Sequence, residues 1–308
     1  MMPLTVLTWN TLAPVYFREG PRRGGTVEAR LPAALFARHT RICEKLASSG
    51  ADVLCLQEQW FEPKLLELYR AQLDDKAGFR FHSLQRTAWN RDGRSEDGVA
   101  VLTRRGLEVV LRHDIKFHDY DIPQDRVGVL LLLRDVRSGD ANDGPLVAVL
   151  GTHLTYAHSE YEEHFRRAQI AACISAADLH VPRGVPLVVA GDLNGPSTDG
   201  VAQVLRKAGF RNAWEDFHGS PCQITHIDHR GDNFAADHVW VRGMLAPKAA
   251  MLLPPSVPDD RPMRRPTIGG AAALVQQSRE RPLPQDDYDE WCELSDHRPL
   301  VVTLSVPE

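Results

Sequence analysis

Eight short runs of β-branched and aliphatic residues recur along the chain, and they restrict its fold more than any other feature. They are 4–9 (LTVLTW), 52–57 (DVLCLQ), 98–103 (GVAVLT), 128–133 (GVLLLL), 146–154 (LVAVLGTHL), 186–194 (PLVVAGDLN), 236–241 (ADHVWV) and 299–306 (PLVVTLSV). Runs of this length and composition read as strands. Several are apolar almost throughout, as in strands covered on both faces. Helical stretches stand between some of them. Residues 31–49 place Leu35, Ile42 and Leu46 on one stripe and end at Gly50, while 63–77 open on Pro63 and group Leu65, Leu68 and Tyr69. Residues 161–180 carry Phe165, Ala168 and Ala172, and 200–208 carry Val201, Val204, Leu205 and Ala208 before Gly209. Strands outnumber helices and are short. The class is therefore α/β, with two sheets packed face to face and helices outside, in place of a single doubly wound sheet.

No internal repeat interrupts this pattern, and one domain over 1–308 is expected. The one shift in composition is 254–287, rich in proline, arginine and acidic residues, which reads as a surface excursion with a short helix near Ala271–Arg279. A 43% hydrophobic and 25% charged composition supplies a sizeable core. No stretch approaches the roughly 20 apolar residues of a membrane span. The apolar run starting at Leu4 leaves no room for a signal peptide. Cys43, Cys55, Cys173, Cys222 and Cys292 are scattered and form no CxxC pair, which argues against a disulfide framework or structural zinc and for a reducing, cytoplasmic location. A net charge of −5 argues against a grip on long duplex nucleic acid. The basic clusters Arg18, Arg22 and Arg23, then Arg91 and Arg94, then Arg261, Arg264 and Arg265, read as solvated loop charges.

The chemistry is written at the ends of the apolar runs. Asn10 ends the first, Glu58 the second, and His153 stands near the end of VAVLGTHL. Asp192 and Asn194 end VVAGDLN, Asp237 opens ADHVWV, and Ser295, Asp296 and His297 precede the last strand. One polar residue at a strand end is ordinarily a turn former. Repeated at six of the eight runs, the placement describes a shared pocket, because an unpaired buried charge is costly. Glu58 and Asp296 are hard oxygen ligands and Asn10 adds a neutral one, a set suited to Mg²⁺ or Mn²⁺ more than to zinc. Asp192 is placed to orient and deprotonate water, and an Asp237–His297 pair would hold an imidazole in fixed orientation against a phosphate. No P-loop or dinucleotide fingerprint occurs.

The ordered set WNTLAP, LQEQW, GTHLT, GDLNG, DHVW and LSDHRPL, from Leu4 to Leu304, resembles the endonuclease/exonuclease/phosphatase superfamily. NTLAPVY, DGVAVL, the helix with Arg166 and Gln169, GDLNGPSTDGVAQVLRKAGF and ITHIDHRGDNFAADHVWV are similar to the branch of carbon-catabolite-repression deadenylases, nocturnin and angel proteins, plant members above all. The resemblance implies a four-layer α/β sandwich with two mixed sheets. It implies Mg²⁺ held with the help of Asn10, Glu58 and Asp296, Asp192 activating water, Asn194 and His153 stabilising the transition state, and His297 paired with Asp237 at the scissile phosphate. Asn90, Arg91, Arg166 and His226 are the candidate substrate-binding residues. His238 stands where the family more often has an aromatic or aliphatic residue, and DDYDE (286–290) lacks the glycine and spacing of a calcium loop. His226 and His229 around Asp228 read as a substrate-facing loop, and Trp9, Trp60 and Trp240 as core.

Three functions fit these residues. The first is a 3′-to-5′ exoribonuclease of deadenylase type acting on a short single-stranded RNA 3′ end. The second is a phosphatase or phosphodiesterase for a nucleotide, cyclic phosphate or phospholipid headgroup, which the acidic balance favours. The third is an inactive binding protein on the same fold, which predicts a missing metal or dyad residue, and none is missing.

Overall fold

The apolar runs form strands whose two faces feed different cores. The structure is a computed structural model that describes residues 2–19, 25–88, 95–137, 144–156, 159–270 and 287–306. Asn90, Arg91, Arg94, Arg22, Arg23, His158 and the helix expected at 271–279 lie outside the described residues.

The first half of the chain comprises β1 (Met2–Asn10), β2 (Arg18–Glu19), β3 (Thr26–Val27), α1 (Pro32–Ser48), β4 (Val53–Trp60) and α2 (Pro63–Tyr69), which continues as a π-helical turn, Arg70–Lys76. Then come β5 (Phe79–Gln85), β6 (Asp97–Arg104), β7 (Leu107–Lys116), β8 (Val127–Asp135) and β9 (Leu146–His153). The second half contains α3 (Glu160–His180), β10 (Leu187–Asp192), α4 (Gly200–Lys207), β11 (Arg211–Asn212) and α5 (Ala213–His218). It closes with β12 (His226–Ile227), β13 (Asn233–Phe234), β14 (Asp237–Arg242), β15 (Ala246–Leu252), α6 (Asp287–Cys292) and β16 (Leu300–Val306).

Two six-stranded sheets result, ordered β15-β16-β1-β4-β6-β5 and β11-β14-β10-β9-β8-β7. Alternation along each strand sorts the side chains. Val53 and Cys55 of β4 meet Val147, Val149, Val188 and Ala190 of the opposite sheet in a core between the sheets. Leu54 and Leu56 face outward to Leu35, Ile42 and Leu46 of α1 and Leu65 and Tyr69 of α2. On the far side Ala148, Leu150, Leu187 and Val189 pack against Phe165, Ile170 and Ile174 of α3 and Val201 and Leu205 of α4. This is the expected four-layer sandwich, and Trp9 and Trp240 are fully buried in it.

Strands β5, β7 and β15 were not legible as apolar runs. Each lies at a sheet edge, and β7 and β15 alternate buried with exposed residues. His113 is in β7 and packs against His180 with ring centroids 3.9 Å apart.

What positions a site is the one parallel pair at the centre of each sheet, β1–β4 and β9–β10. Their C-terminal ends come out at one end of the sandwich, the place where parallel strands collect ligand-binding residues. The antiparallel neighbour β14 begins there too, with Asp237 opposite Asp192. Gly191 has to be glycine at this end: a Cβ on it would stand 2.0 Å from the Thr152 carbonyl oxygen.

Candidate active site

One cavity of about 510 Å³ opens at that end, lined by Asn10, Glu58, His153, Asp192, Asn194, His226, Asp296 and His297 among others. Asp237 stands behind His297 and is fully buried. Asn90 and Arg91 lie outside the described residues.

Local backbone aims these side chains. β4 carries a bulge between Gln57 and Gln59, and the extra residue is Glu58, in the left-handed region with φ 54°. Leu12 and Asn194 share that region, with φ 54° and 56°. Asparagine tolerates it, whereas for Glu58 and Leu12 it costs about 1 kcal/mol or more each. Strain at two residues that both line the cavity is the mark of a geometry held for use. The turn before β16 is stapled to the end of β1: Ser295 Oγ donates to the Asn10 carbonyl (2.7 Å) and accepts from His297 N (3.1 Å), and Trp9 Nε1 donates to the His297 carbonyl (2.9 Å).

Asp192 is the hub. Its Oδ2 accepts from Asn10 Nδ2 (3.0 Å) and lies 3.3 Å from His153 Nε2 and 3.8 Å from His297 Nε2, while Oδ1 accepts from Asn194 N (2.9 Å). Burial opposes its ionisation, but the hydrogen bond from His153 and the rings of His297 and His226 outweigh that and hold it well below the usual carboxylate range. His297 Nδ1 donates to Asp237 Oδ2 at 2.7 Å. Burial disfavours the charged ring, yet Asp237, Asp192 and Asp296 lift His297 from 6.5 to about 10. The pair therefore holds its proton through the neutral range, and His297 faces the cavity as a charged donor.

His153 goes the other way. Burial and then the Arg126 guanidinium lower it to about 4, so the ring is neutral. Arg126 Nη1 donates to His153 Nδ1 at 2.7 Å. Arginine only donates, so Nδ1 accepts and the ring proton sits on Nε2. That proton faces Asp192 Oδ2 at 3.3 Å and lies next to the Asn194 amide, whose Nδ2 is 3.1 Å from Nε2 and donates one hydrogen to the Leu154 carbonyl at 2.9 Å. The second Asn194 hydrogen, with the His153 proton shared with Asp192, gives an anionic oxygen at the cavity floor two donors to draw on.

Glu58 Oε2 accepts from Ala13 N at 2.7 Å. Burial, and then the charge of Asp97, push Glu58 up to about 7, with Asp296 adding to the rise against Arg126. Asp296 Oδ1 is buried with no hydrogen-bond partner, although His297 Nε2 is 3.8 Å away. An under-compensated carboxylate pair of this kind fits a hard divalent cation. Two further groups, His226–Asp296–His297 and Asp192–Asp237–His297, have ligand atoms within 4.8 Å of one another. A charged His297 is a poor ligand, which favours the Glu58 and Asp296 side of the cavity, with Asn10 beside it.

Arg166 is placed elsewhere. Its guanidinium pairs with Glu163 and Asp199 and donates to the Leu193 carbonyl at 3.2 Å, beneath the GDLNG loop and outside the cavity lining. Gly195 leaves the room it needs, since a Cβ there would lie 2.2 Å from Arg166 Nη2. Arg166 is thus a brace for the loop that carries Asn194, a correction to its reading as a substrate contact. His226 does face the cavity, stacked on His297 with centroids 3.9 Å apart, and its Nδ1 donates to the Asp296 carbonyl at 3.1 Å. His238 is buried, and its Nε2 donates to the Gly195 carbonyl at 2.8 Å, so the unusual residue beside the dyad ties the same loop.

The sequence reading missed a polar chain behind His153. Arg126 reaches Asp97 at 3.7 Å, Asp97 pairs with Arg86 at 3.2 Å, and Arg86 donates to Asp125 at 2.7 Å. Asp97 opens β6 and Arg126 immediately precedes β8, the strand-end placement already used for the other residues.

Comparison with known proteins bears on the family and the fold. The sequence profile of the Endonuclease/Exonuclease/phosphatase family matches residues 7–297. An uncharacterized calcium-binding protein of Arabidopsis thaliana is 26% identical over 252 residues, 77% of this chain and 50% of its own length, so the chain spans about half of that relative. The human Nocturnin catalytic domain with bound sulfate superposes with a TM-score of 0.66 at 19% identity, covering 98% of this chain and 93% of its own. D. rerio TDP2 complexed with a single-strand DNA product gives 0.61 at 15% identity over 99% of each chain. An endonuclease/exonuclease/phosphatase from Bacteroides vulgatus gives 0.67 at 15% identity over 100% of each. At such identities the three structures speak to the fold. Among the described residues no helix is long and apolar enough to cross a membrane.

Proposed function

The chain belongs to the endonuclease/exonuclease/phosphatase family, and from that premise we propose that it is a Mg²⁺-dependent phosphoesterase, with Mn²⁺ as a substitute, that removes nucleotides from the 3′ end of short single-stranded RNA. The observation that carries a phosphoesterase reading is the opposition of the two histidines: a neutral His153 and a charged His297 flank one ionised carboxylate, Asp192.

Glu58, Asp296 and Asn10 would hold the metal ion. When bound, it would make phosphorus more electrophilic and offset charge on the leaving oxygen. The rest falls to side chains of this chain. Asp192 orients a water for in-line attack. Held far below the usual carboxylate range, it is a weak base that takes the proton late, once the forming P–O bond has made the water acidic. His153 Nε2–H and Asn194 Nδ2–H receive a non-bridging oxygen as its charge grows. His297, fixed by Asp237, donates to another phosphate oxygen. Among the described residues no serine or cysteine lines the cavity, which favours direct attack by water over a covalent intermediate.

RNA as substrate rests on the sequence resemblance to the deadenylase and nocturnin branch. A second reading, a phosphatase or phosphodiesterase for a nucleotide-like ester, is favoured by the net charge of −5 and by a cavity of about 510 Å³, the size of a small-ligand pocket. Purified protein with Mg²⁺ and 5′-labelled poly(A), mixed RNA, single-stranded DNA and free nucleotides separates them. A ladder shortening from the RNA 3′ end, abolished by EDTA and by Asp192→Ala, supports the exoribonuclease. Inorganic phosphate from a nucleotide with every polymer intact refutes it in favour of the small-molecule enzyme.

A further inference from the structure

Four arginines line the cavity, and two of them are left without a carboxylate. Arg86 is neutralised by Asp97 and Asp125, and Arg126 spans His153 and Asp97. Arg18 and Arg265 are exposed, and among the described residues neither pairs with an acid; the bond from Arg18 Nε to the Val15 carbonyl (3.0 Å) leaves its terminal nitrogens to the cavity. The arginines around them are spent differently. Arg264, beside Arg265, is taken up by Glu293 and Asp289.

Arg265 is held at the cavity by a well-anchored segment. Arg298, of the LSDHRPL motif, is 1% exposed and donates to the carbonyls of Leu253 (3.3 Å), Pro254 (3.4 Å), Val257 (3.3 Å) and Pro258 (3.0 Å). Further on, Met263 N donates to Asn233 Oδ1 (2.8 Å), Thr267 N to Glu293 Oε2 (2.8 Å), and Ile268 N to Glu19 Oε1 (2.5 Å). The last bond ties the segment across β2, the strand of Arg18. From the stretch 254–270, which composition marks as a surface excursion, Arg265 reaches the cavity lining.

Both arginines project into a cavity that also carries Glu58, Asp125, Asp192, Asp228 and Asp296. Such a site repels an anion unless cations at its mouth compensate. We infer that Arg18 and Arg265 form a subsite for a second phosphate of the substrate, separate from the phosphate that is cleaved. The inference rests on the phosphoesterase reading. Two sources carry that chemistry, the neighbouring phosphodiester of an oligonucleotide and the 5′-phosphate of a nucleoside bisphosphate.

The test compares two matched pairs, ApA with pApA and 3′-AMP with adenosine 3′,5′-bisphosphate. In each pair the second member adds only the second phosphate. Wild-type kcat/KM should favour the added phosphate by about tenfold, the size of one charge-assisted contact, in the first pair for a polymer source and in the second for a small molecule. Arg18→Glu and Arg265→Glu should each cut that ratio severalfold, and the double variant should bring it to about one. The salt dependence of KM for the favoured substrate should flatten in step. Equilibrium binding of the same pairs to Asp192→Asn protein gives the comparison without turnover. Wild-type protein that cleaves neither pair defeats the phosphoesterase reading, while the binding ratio still judges the subsite. A ratio unchanged in the double variant, or a loss equal for both members of a pair, overturns the subsite itself.

Discussion

Replacing Asp237 with asparagine removes one charge and almost no volume, so it isolates what that charge does. In the wild-type protein Asp237 Oδ2 receives the Nδ1 proton of His297 at 2.7 Å, and both side chains are nearly free of solvent, at 0% and 4% exposure. The rise of His297 from 6.5 to about 10 corresponds to roughly 5 kcal/mol of preference for the charged ring. That agrees in size with the roughly 3–5 kcal/mol lost when one member of a buried pair is removed. With asparagine at 237, burial is met only by the more distant Asp192 and Asp296. The ring is then neutral at pH 8, keeps its single proton on Nδ1 toward the amide, and turns an unprotonated Nε2 to the cavity. Losing that donor should lower kcat by about 10²–10³. Two measurements check it: kcat against pH, and the ¹⁵N shifts of the His297 ring between pH 5 and 10. The pair also fixes a stability window. Because the folded value lies above the unfolded one, its contribution is complete below 6.5 and is lost as pH climbs through about 10. The stability gap between wild type and Asp237→Asn, read by urea denaturation, should therefore close between pH 7 and pH 10. A folded variant whose ring stays charged at pH 8, or whose kcat is within threefold (about 0.7 kcal/mol) of wild type, refutes the reasoning.

Glu58→Gln should stabilise the metal-free protein by about 1–3 kcal/mol at pH 8. Glu58 titrates near 7 instead of 4.5, so its ionisation costs stability that is lost as pH rises from 4.5 through about 7. In thermal melts, Mg²⁺ should raise Tm in the wild type but not in Glu58→Gln, and equal shifts would remove Glu58 from the metal site. Arg126→Met should release His153 from about 4 toward 6.5, move the acidic limb of kcat/KM to higher pH, and cost about 10–100-fold in kcat. An unmoved limb would show that Arg126 does not set the protonation of His153.

The sheet interiors and the floor of the site were legible in the sequence for one reason. Central strands are buried on both faces and so run apolar to their ends, which makes a polar residue at such an end conspicuous. Asn10, Glu58, His153, Asp192, Asp237 and His297 all stand out this way. Edge strands such as β7 and β15 carry one wet face, and their polar alternation looks like loop. Asp97 and Arg126 were missed because the rule was not carried to the runs at 98–103 and 128–133, although these two stand where strands begin, as Asp237 does. Arg166 was misplaced because helical position says nothing of which neighbour a long side chain reaches, and two acids claimed it. Arg265 was hidden for a different reason. Its role depends on Arg298 drawing a distant segment onto β2, an arrangement that no local pattern records.

The bulge at Glu58 has a bearing on how this site tolerates change. Strand parity in β4 alternates between the inter-sheet core and the helical layer, and the extra residue takes Glu58 out of that count. Its aim is thereby uncoupled from the strand's alternation, so volume-conserving changes in the buried side chains along β4 leave the carboxylate in place. Chain length is not free. One residue lost between Val53 and Gln57 would invert which layer each side chain enters, and could be absorbed only by erasing the bulge and drawing Glu58 back into the ladder, while one gained would need a second bulge. A lineage can rewrite this strand letter by letter, yet it has almost no latitude to insert or delete.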